Sequence, residues 1–181
     1  MKSFQEMIQE DTVSKTDPYR LVVLAERPKK QSKNSTSGKI VKVAEKMGMD
    51  VYNVRINGAY LERDEDSGSI TIHNADDEKG FEVDADTLVM IRGGVTSKDS
   101  YLDLISQIER YGIATCNPRE CIEVCSDKFR TYLRLQEIGL NQPKTVLIPN
   151  DEKDTVDRAH EALDNDFPMV LKTLQGSKGV G

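Results

Sequence analysis

The chain has 181 residues, 37% hydrophobic and 31% charged, with 25 Lys and Arg against 31 Asp and Glu and a net charge of −6. That length can bury a core in one or two domains, and the negative balance argues against general nucleic-acid or membrane-surface attraction, which wants a basic face. No apolar run approaches the roughly 20 residues that span a bilayer, and Met1 to Asp17 has no apolar stretch of secretory-signal type, so a cytoplasmic location is expected.

Residues 1–18 are polar, end at Pro18 and read as a flexible tail or a loosely docked short helix. Arg20 to Ala25, with Leu21, Val22, Val23 and Leu24, is an apolar run of buried-strand type. A basic stretch (Arg27, Lys29, Lys30, Lys33) precedes a helix with Ser37 as its expected cap. Ile40, Val43, Ala44 and Met47 form its apolar face, and Gly48 ends it. Val51 to Ile56 alternates as a second strand.

Between Asn57 and Asp86 lie ten carboxylates, among them Glu62, Asp64, Glu65 and Asp66. Tyr60-Leu61 and Ile70 to Ile72 flank Asp66-Ser67-Gly68 as a hairpin. The section reads as a solvated, edge-protecting hairpin rather than a metal site or catalytic dyad. Thr87 to Ile91 is the third core strand. Arg92-Gly93-Gly94 then turns toward a helix in which Thr96 and Asp99 match the capping-box pattern, and Tyr101, Leu104, Ile105, Ile108 and Tyr111 keep helical spacing. Ile113 to Thr115 is a short strand, stopped by Asn117-Pro118.

Strand, helix, strand, hairpin, strand, helix, strand implies an α/β fold with an open, mainly parallel sheet. Ligands of such sheets sit beyond the C-terminal strand ends. The basic loop after Ala25 and the Arg92-Gly93-Gly94 turn both fall there. Arg92 reads either as the exposed residue of a tight turn or as a fork onto a substrate carboxylate.

From Arg119 the character changes. Ser126-Asp127 opens a helix through Ile138, with Phe129, Tyr132 and Leu133 on its apolar side and Gly139 behind it. Thr145 to Ile148 reads as a strand, Asp151 to Leu163 as a helix with an acidic start, and Met169 to Leu174 as the last strand. His160, beside Val156, Ala159 and Leu163, reads as a partly packed surface residue rather than a ligand. Cys116, Cys121 and Cys125 lack the paired spacing of a zinc site and read as reduced thiols.

The sequence closes on Gly176-Ser177-Lys178-Gly179-Val180-Gly181, directly after the strand that carries Lys172. A glycine-rich turn behind a strand lysine brings backbone N–H groups and an ammonium against nucleotide phosphates. It is neither a Walker A loop nor a dinucleotide fingerprint. Lys172 points either inward, where its charge needs a partner such as phosphate, or to solvent with Met169, Leu171 and Thr173 as the buried face.

Two stretches resemble the ATP-grasp superfamily, and within it the RimK-type carboxylate–amine ligases. The first runs from Ser126-Asp127-Lys128-Phe129-Arg130 through Gly139-Leu-Asn-Gln-Pro143-Lys-Thr145, and is similar to the family's entry into its ATP-binding domain. The second runs from Phe167-Pro168-Met-Val-Leu-Lys172 through the closing glycine loop, and is similar to the family's strand lysine and Gly-Ser/Thr-Gln-Gly loop. The match covers about the last 65 residues, by residue type at defined positions. It implies three segments: a tail at 1–18, a pre-ATP-grasp domain at 19–118, and the incomplete start of an ATP-grasp domain at 119–181.

The resemblance further implies that Lys128 approaches the nucleotide phosphates and that Lys172 contacts the α/β-phosphates and the adenine side. Gly176, Ser177, Lys178 and Gly179 would fold over the β- and γ-phosphates; Lys178 stands where the family usually has Gln. ATP is the implied cofactor, with Mg2+ whose ligands are expected beyond residue 181, and the implied partners are a carboxylate and an amino-acid or peptide amine. Homo-oligomer assembly is likewise implied. By itself the chain is expected to be inactive, as the front part of a ligase cut within its glycine loop. The alternatives are another ATP-grasp ligase, of glutathione-synthetase-like or D-Ala-D-Ala-like type, and a non-catalytic binding module that pairs with a partner subunit.

Overall fold

A computed structural model describes residues 19–26, 35–75, 77–96, 98–149, 152–164 and 168–176. The expected tail, the basic loop after β1, and Ser177, Lys178 and Gly179 lie outside the described residues. The chain divides into two compact units, Met1–Pro118 and Arg119–Gly181.

The first unit is built on four parallel strands in the order β2-β1-β6-β7: β1 (Arg20–Ala25), β2 (Asp50–Arg55), β6 (Thr87–Arg92) and β7 (Ala114–Cys116). β1 is central, and its unbroken Leu21-Val22-Val23-Leu24-Ala25 run is buried on both faces, the pattern a covered parallel sheet requires. Helix α1 (Thr36–Lys46) packs Ile40, Val41 and Ala44 onto the face formed by Leu21, Val23, Val51, Leu88 and Met90. It is capped by Ser35, not the expected Ser37: the Ser35 hydroxyl accepts from Gly38 N–H at 3.1 Å, while Ser37 is buried inside the helix.

Register puts Val22, Leu24, Val54 and Val89 together on the opposite face, and all four are fully buried. Tyr52 shares that face and stacks on Phe81, with ring centroids 5.1 Å apart. Phe81 belongs to a small antiparallel sheet, β3 (Ala59–Arg63), β4 (Ile70–Asn74) and β5 (Asp77–Val83), in sequential order. The expected hairpin is therefore three-stranded, with β5 as its additional edge. Arg20 fastens the small sheet to the large one through a 3.0 Å ion pair with Asp84.

Helix α2 (Asp99–Arg110) buries Tyr101, Leu102, Ile105 and Ile108 and packs along β7 and β3. Its N-cap is Lys98, which has no acceptor and makes no side-chain cap bond, so the Thr96–Asp99 capping box does not form. Strands β2 and β7 lie on opposite sides of the β1/β6 pair. Right-handed crossovers running in opposite directions place their helices on opposite faces, as in a doubly wound sheet.

The second unit contains α3 (Arg119–Ser126), α4 (Lys128–Glu137) and α5 (Lys153–Ala162). Helix α3 was not expected from the sequence. It packs on α4, and Thr131 ties the joint, its hydroxyl donating to the carbonyl of Val124 at 2.7 Å. The expected strands at Thr145 to Ile148 and Met169 to Leu174 do not form: neither segment is helix or strand, and neither has a sheet partner among the described residues. Among the described residues no helix is long and apolar enough to cross a membrane.

Candidate functional site

In the first unit the chain leaves β1 to its neighbour β2 and later returns to β6 on the other side of β1. The strand order therefore reverses between β1 and β6, and the C-terminal ends at that reversal form the crevice where doubly wound sheets take ligands. Arg92, the last residue of β6, stands there exposed, in register with Ala25. The turn behind it is pinned to β1, because Glu26 N–H donates to the Gly93 carbonyl at 3.2 Å.

Gly94 has φ +72, and a Cβ built on it would meet the Glu26 side chain, its Cβ at 2.6 Å. Only glycine fits both the left-handed backbone and that approach. The second glycine of the turn thus admits Glu26 against the backbone. Glu26 was not singled out in the sequence, although it is the residue immediately after a central buried strand. Arg92 and Glu26 put a cation and a carboxylate at the same strand ends.

In the second unit the site begins at the α3–α4 junction. Asp127 is the N-cap of α4, 8% exposed, and its carboxylate accepts from the N–H groups of Phe129 and Arg130, both at 2.9 Å. This fixes the first helical turn and with it Lys128, the first residue inside the helix. Lys128 then makes two bonds to chain about 45 residues away: its N–H donates to the Leu174 carbonyl at 2.9 Å and its ammonium to the Thr173 carbonyl at 2.8 Å.

The two stretches singled out in the sequence are thereby joined in space. Lys172 precedes these two carbonyls, and Gly176, exposed with φ 133, follows them. Lys172 is exposed on a segment that is neither helix nor strand, and is not the inward residue of a buried strand; its neighbours Val170 and Leu171 are 76% and 86% exposed. The ammonium of Lys172 accordingly carries no burial penalty, and phosphate is not needed to offset one.

Lys144 pairs with Asp164 at 2.6 Å, which links the segment after α4 to the end of α5. Arg134 is held by Glu137 at 2.8 Å, and that hydrogen bond and charge raise its pKa above the ordinary arginine value. Cys116, Cys121 and Cys125 are free thiols. Among the described residues no group of three or more His, Cys, Asp or Glu side chains is arranged to hold a metal ion. Among the described residues, therefore, no such cluster offers a Mg2+ site.

No protein family model matches the chain. A curated protein from Methanococcoides burtonii described as a probable alpha-L-glutamate ligase is 26% identical over 149 residues, which cover 81% of this chain and 46% of that protein. The chain thus spans about half the length of that relative.

Proposed function

We propose that the chain supplies part of an ATP-dependent carboxylate–amine ligase of ATP-grasp type. The observation that carries this reading is the Lys128 junction. A helix-initial lysine, set by a buried Asp cap, touches the backbone between a second lysine and Gly176. Lys128 bonded to the backbone just behind Lys172 and just ahead of Gly176 suits a triphosphate, whose charge the two lysines would neutralise while backbone N–H groups of the glycine-rich segment would approach its oxygens. The alpha-L-glutamate ligase similarity supports the same class and favours L-glutamate as the amine.

In the proposed reaction a substrate carboxylate oxygen attacks the γ-phosphorus of ATP. The bond from γ-phosphorus to the bridging oxygen breaks, and ADP leaves with its electron pair. The amine of L-glutamate then attacks the carbonyl carbon of the acyl phosphate, inorganic phosphate leaves with the C–O electrons, and the nitrogen loses a proton to give the amide. Lys128 and Lys172 neutralise phosphate charge, and the loop from Gly176 through Ser177, Lys178 and Gly179 covers the phosphates and keeps water from the acyl phosphate. Arg92 anchors the carboxylate substrate. RimK-type addition of glutamate to a peptide or protein C-terminus is the specific form we favour.

The test is ADP release by the full-length protein in the presence of Mg2+, a C-terminal peptide carboxylate and L-glutamate. Release should require both substrates, and Lys128→Ala and Lys172→Ala should each lower kcat/KM for ATP by about 100-fold, the scale of removing one electrostatic contact to a developing charge. Unchanged kcat/KM in both variants would remove the assignment of these lysines.

A further inference from the structure

Because Ser35 caps α1, the Ser37 hydroxyl is left without that task. Ser37 is 9% exposed, and among the described residues its hydroxyl has no hydrogen-bond partner. A buried hydroxyl is costly unless something bonds to it. Its direction follows from the helix. Ile40, Val41 and Ala44 are the residues of α1 that pack on the sheet, and Ser37 stands one turn ahead of Ile40 and Val41 on that stripe. Ser37 therefore faces the sheet from the first turn of α1.

Helix α1 follows the C-terminal end of β1 and leads back to the start of β2, which pairs in parallel with β1. Its first turn accordingly lies at the C-terminal strand ends. Alternation along β6 puts Arg92 on the face of Leu88 and Met90, which is the face α1 covers. Arg92 is exposed, and among the described residues nothing pairs with its guanidinium. Arg55 ends β2 on the same face, but it has a partner of its own and takes no part in the site.

The other groups at this end are donors. Gly38 N–H is taken by the Ser35 hydroxyl and Lys39 N–H by the Ser35 carbonyl, whereas the N–H groups of Thr36 and Ser37 have no acceptor among the described residues. The first turn holds no acidic residue. Its N–H groups and dipole favour an anion, and the Ser37 hydroxyl and the Arg92 guanidinium add to that preference. A carboxylate offers about four acceptor positions; the Arg92 fork fills two, and the Ser37 hydroxyl and a first-turn N–H fill the others. Its single charge matches the single unpaired guanidinium, whereas a phosphate dianion would leave one charge unmatched.

We propose that Ser37 and the first turn of α1 complete the carboxylate site that Arg92 opens, so that a substrate's terminal carboxylate is held between the end of β6 and α1. The inference rests on the reading of Arg92 as the substrate anchor, yet binding here needs no nucleotide and is measured without turnover. A protein that binds the carboxylate but releases no ADP would count against the ligase reading alone.

The experiment is a two-dimensional amide NMR titration of the 181-residue chain with the dipeptide N-acetyl-alanyl-alanine as its free acid. The same dipeptide as its C-terminal amide, and inorganic phosphate, are the controls. The free acid should shift resonances of Thr36 to Gly38 and of Arg92 to Gly94, and the amide should bind at least about tenfold more weakly. Ser37→Ala should weaken the free acid about tenfold, the scale of one lost hydrogen bond to a charged group, while the Ala44 and Val51 resonances stay in place. If that variant does not fold, Arg92→Gln, a change at an exposed side chain, decides in its place by the same loss of about tenfold or more. The absence of shifts up to about 20 mM free acid overturns the proposal. Shifts confined to other residues, an amide that binds as well as the acid, phosphate that binds more tightly than the acid, or a Ser37→Ala variant of unchanged affinity would overturn it equally.

Discussion

Replacing Asp127 with Ala removes both acceptor bonds at the head of α4 in one step. The carboxylate receives Phe129 N–H and Arg130 N–H at 2.9 Å each and is 8% exposed, so water cannot readily take its place. N-cap losses run from about 0.5 to 2 kcal/mol, and the burial, the paired bonds and the favourable charge at a helix N-terminus put Asp127 at the upper end, about 2 kcal/mol. That corresponds to roughly a 30-fold rise in the population of the open helix start. Native-state amide exchange reads it directly: protection of Phe129, Arg130 and Lys128 should fall about 30-fold. The Lys128 amide belongs to the same set because it donates to the Leu174 carbonyl, a bond that requires the first turn in place. Asp127→Asn keeps an acceptor and should retain most of the protection. An alanine variant whose protection changes less than twofold, or an asparagine variant that loses as much as alanine, would refute the reasoning.

Three further outcomes follow from the geometry. The Asp64 carboxylate accepts from Ser67 N–H at 2.6 Å, from the Ser67 hydroxyl at 2.7 Å and from Asp66 N–H at 3.1 Å. Chiefly the Ser67 backbone bond, with the hydroxyl behind it, lowers its pKa below the ordinary 3.8. The native turn therefore gains stability above the unfolded-state value and loses it as pH falls through the lowered folded value. Ser67→Ala should raise the Asp64 pKa part of the way back, read by NMR titration of the carboxyl carbon, and an unmoved pKa would count against this account of the turn. Gly80→Ala should destabilise the small sheet by about 2 kcal/mol in urea unfolding, from the left-handed backbone and crowding. Gly80 has φ +64, and an added Cβ would meet Thr71 Cγ2 at 2.6 Å and His73 Nδ1 at 2.8 Å. Leu24→Ala should cost about 2–5 kcal/mol, whereas Leu171→Ala should stay within about 0.5 kcal/mol, because Leu24 is 0% and Leu171 86% exposed. Equal losses at the two positions would show that the Leu171 segment is packed after all.

The first unit was largely legible because its signals are local. An unbroken apolar β1, helical spacing in α1 and α2 and alternation in β2 each fix an element without reference to the rest of the chain. β5 was missed because Asp77-Glu-Lys-Gly-Phe-Glu-Val carries only Phe81 and Val83 as large apolar residues and a glycine in its middle; it is a strand because β4 pairs with it. Helix α3 was missed because it is only eight residues long and wedged between the Asn117-Pro118 stop and the Asp127 cap of α4, too short to show a repeating stripe. The opposite error, strands at Thr145 to Ile148 and Met169 to Leu174, has a different origin. Alternating apolar residues announce a strand, but the strand exists only where a neighbour supplies the hydrogen bonds.

The position of Arg92 at the strand ends was legible through topology, whereas Lys128 was singled out only by the resemblance, and the functional roles of both stand as proposals. The bond between Lys128 and Thr173 is a tertiary fact with no local signature. The Ser35–Ser37 confusion is of another kind: several hydroxyls in a row offer several possible caps, and burial of Ser37 selects Ser35.

The central claim is that the carboxylate is activated as an acyl phosphate. It is tested most directly by running the full-length protein with ATP, Mg2+, L-glutamate and a C-terminal peptide substrate whose carboxylate oxygens are 18O-labelled. If the carboxylate attacks the γ-phosphorus, the oxygen that bridged carbon and phosphorus leaves with phosphate, and each amide formed yields ADP and one inorganic phosphate carrying a single 18O. Label recovered in AMP, with pyrophosphate as the co-product, or unlabelled phosphate accompanying the amide, would contradict the account.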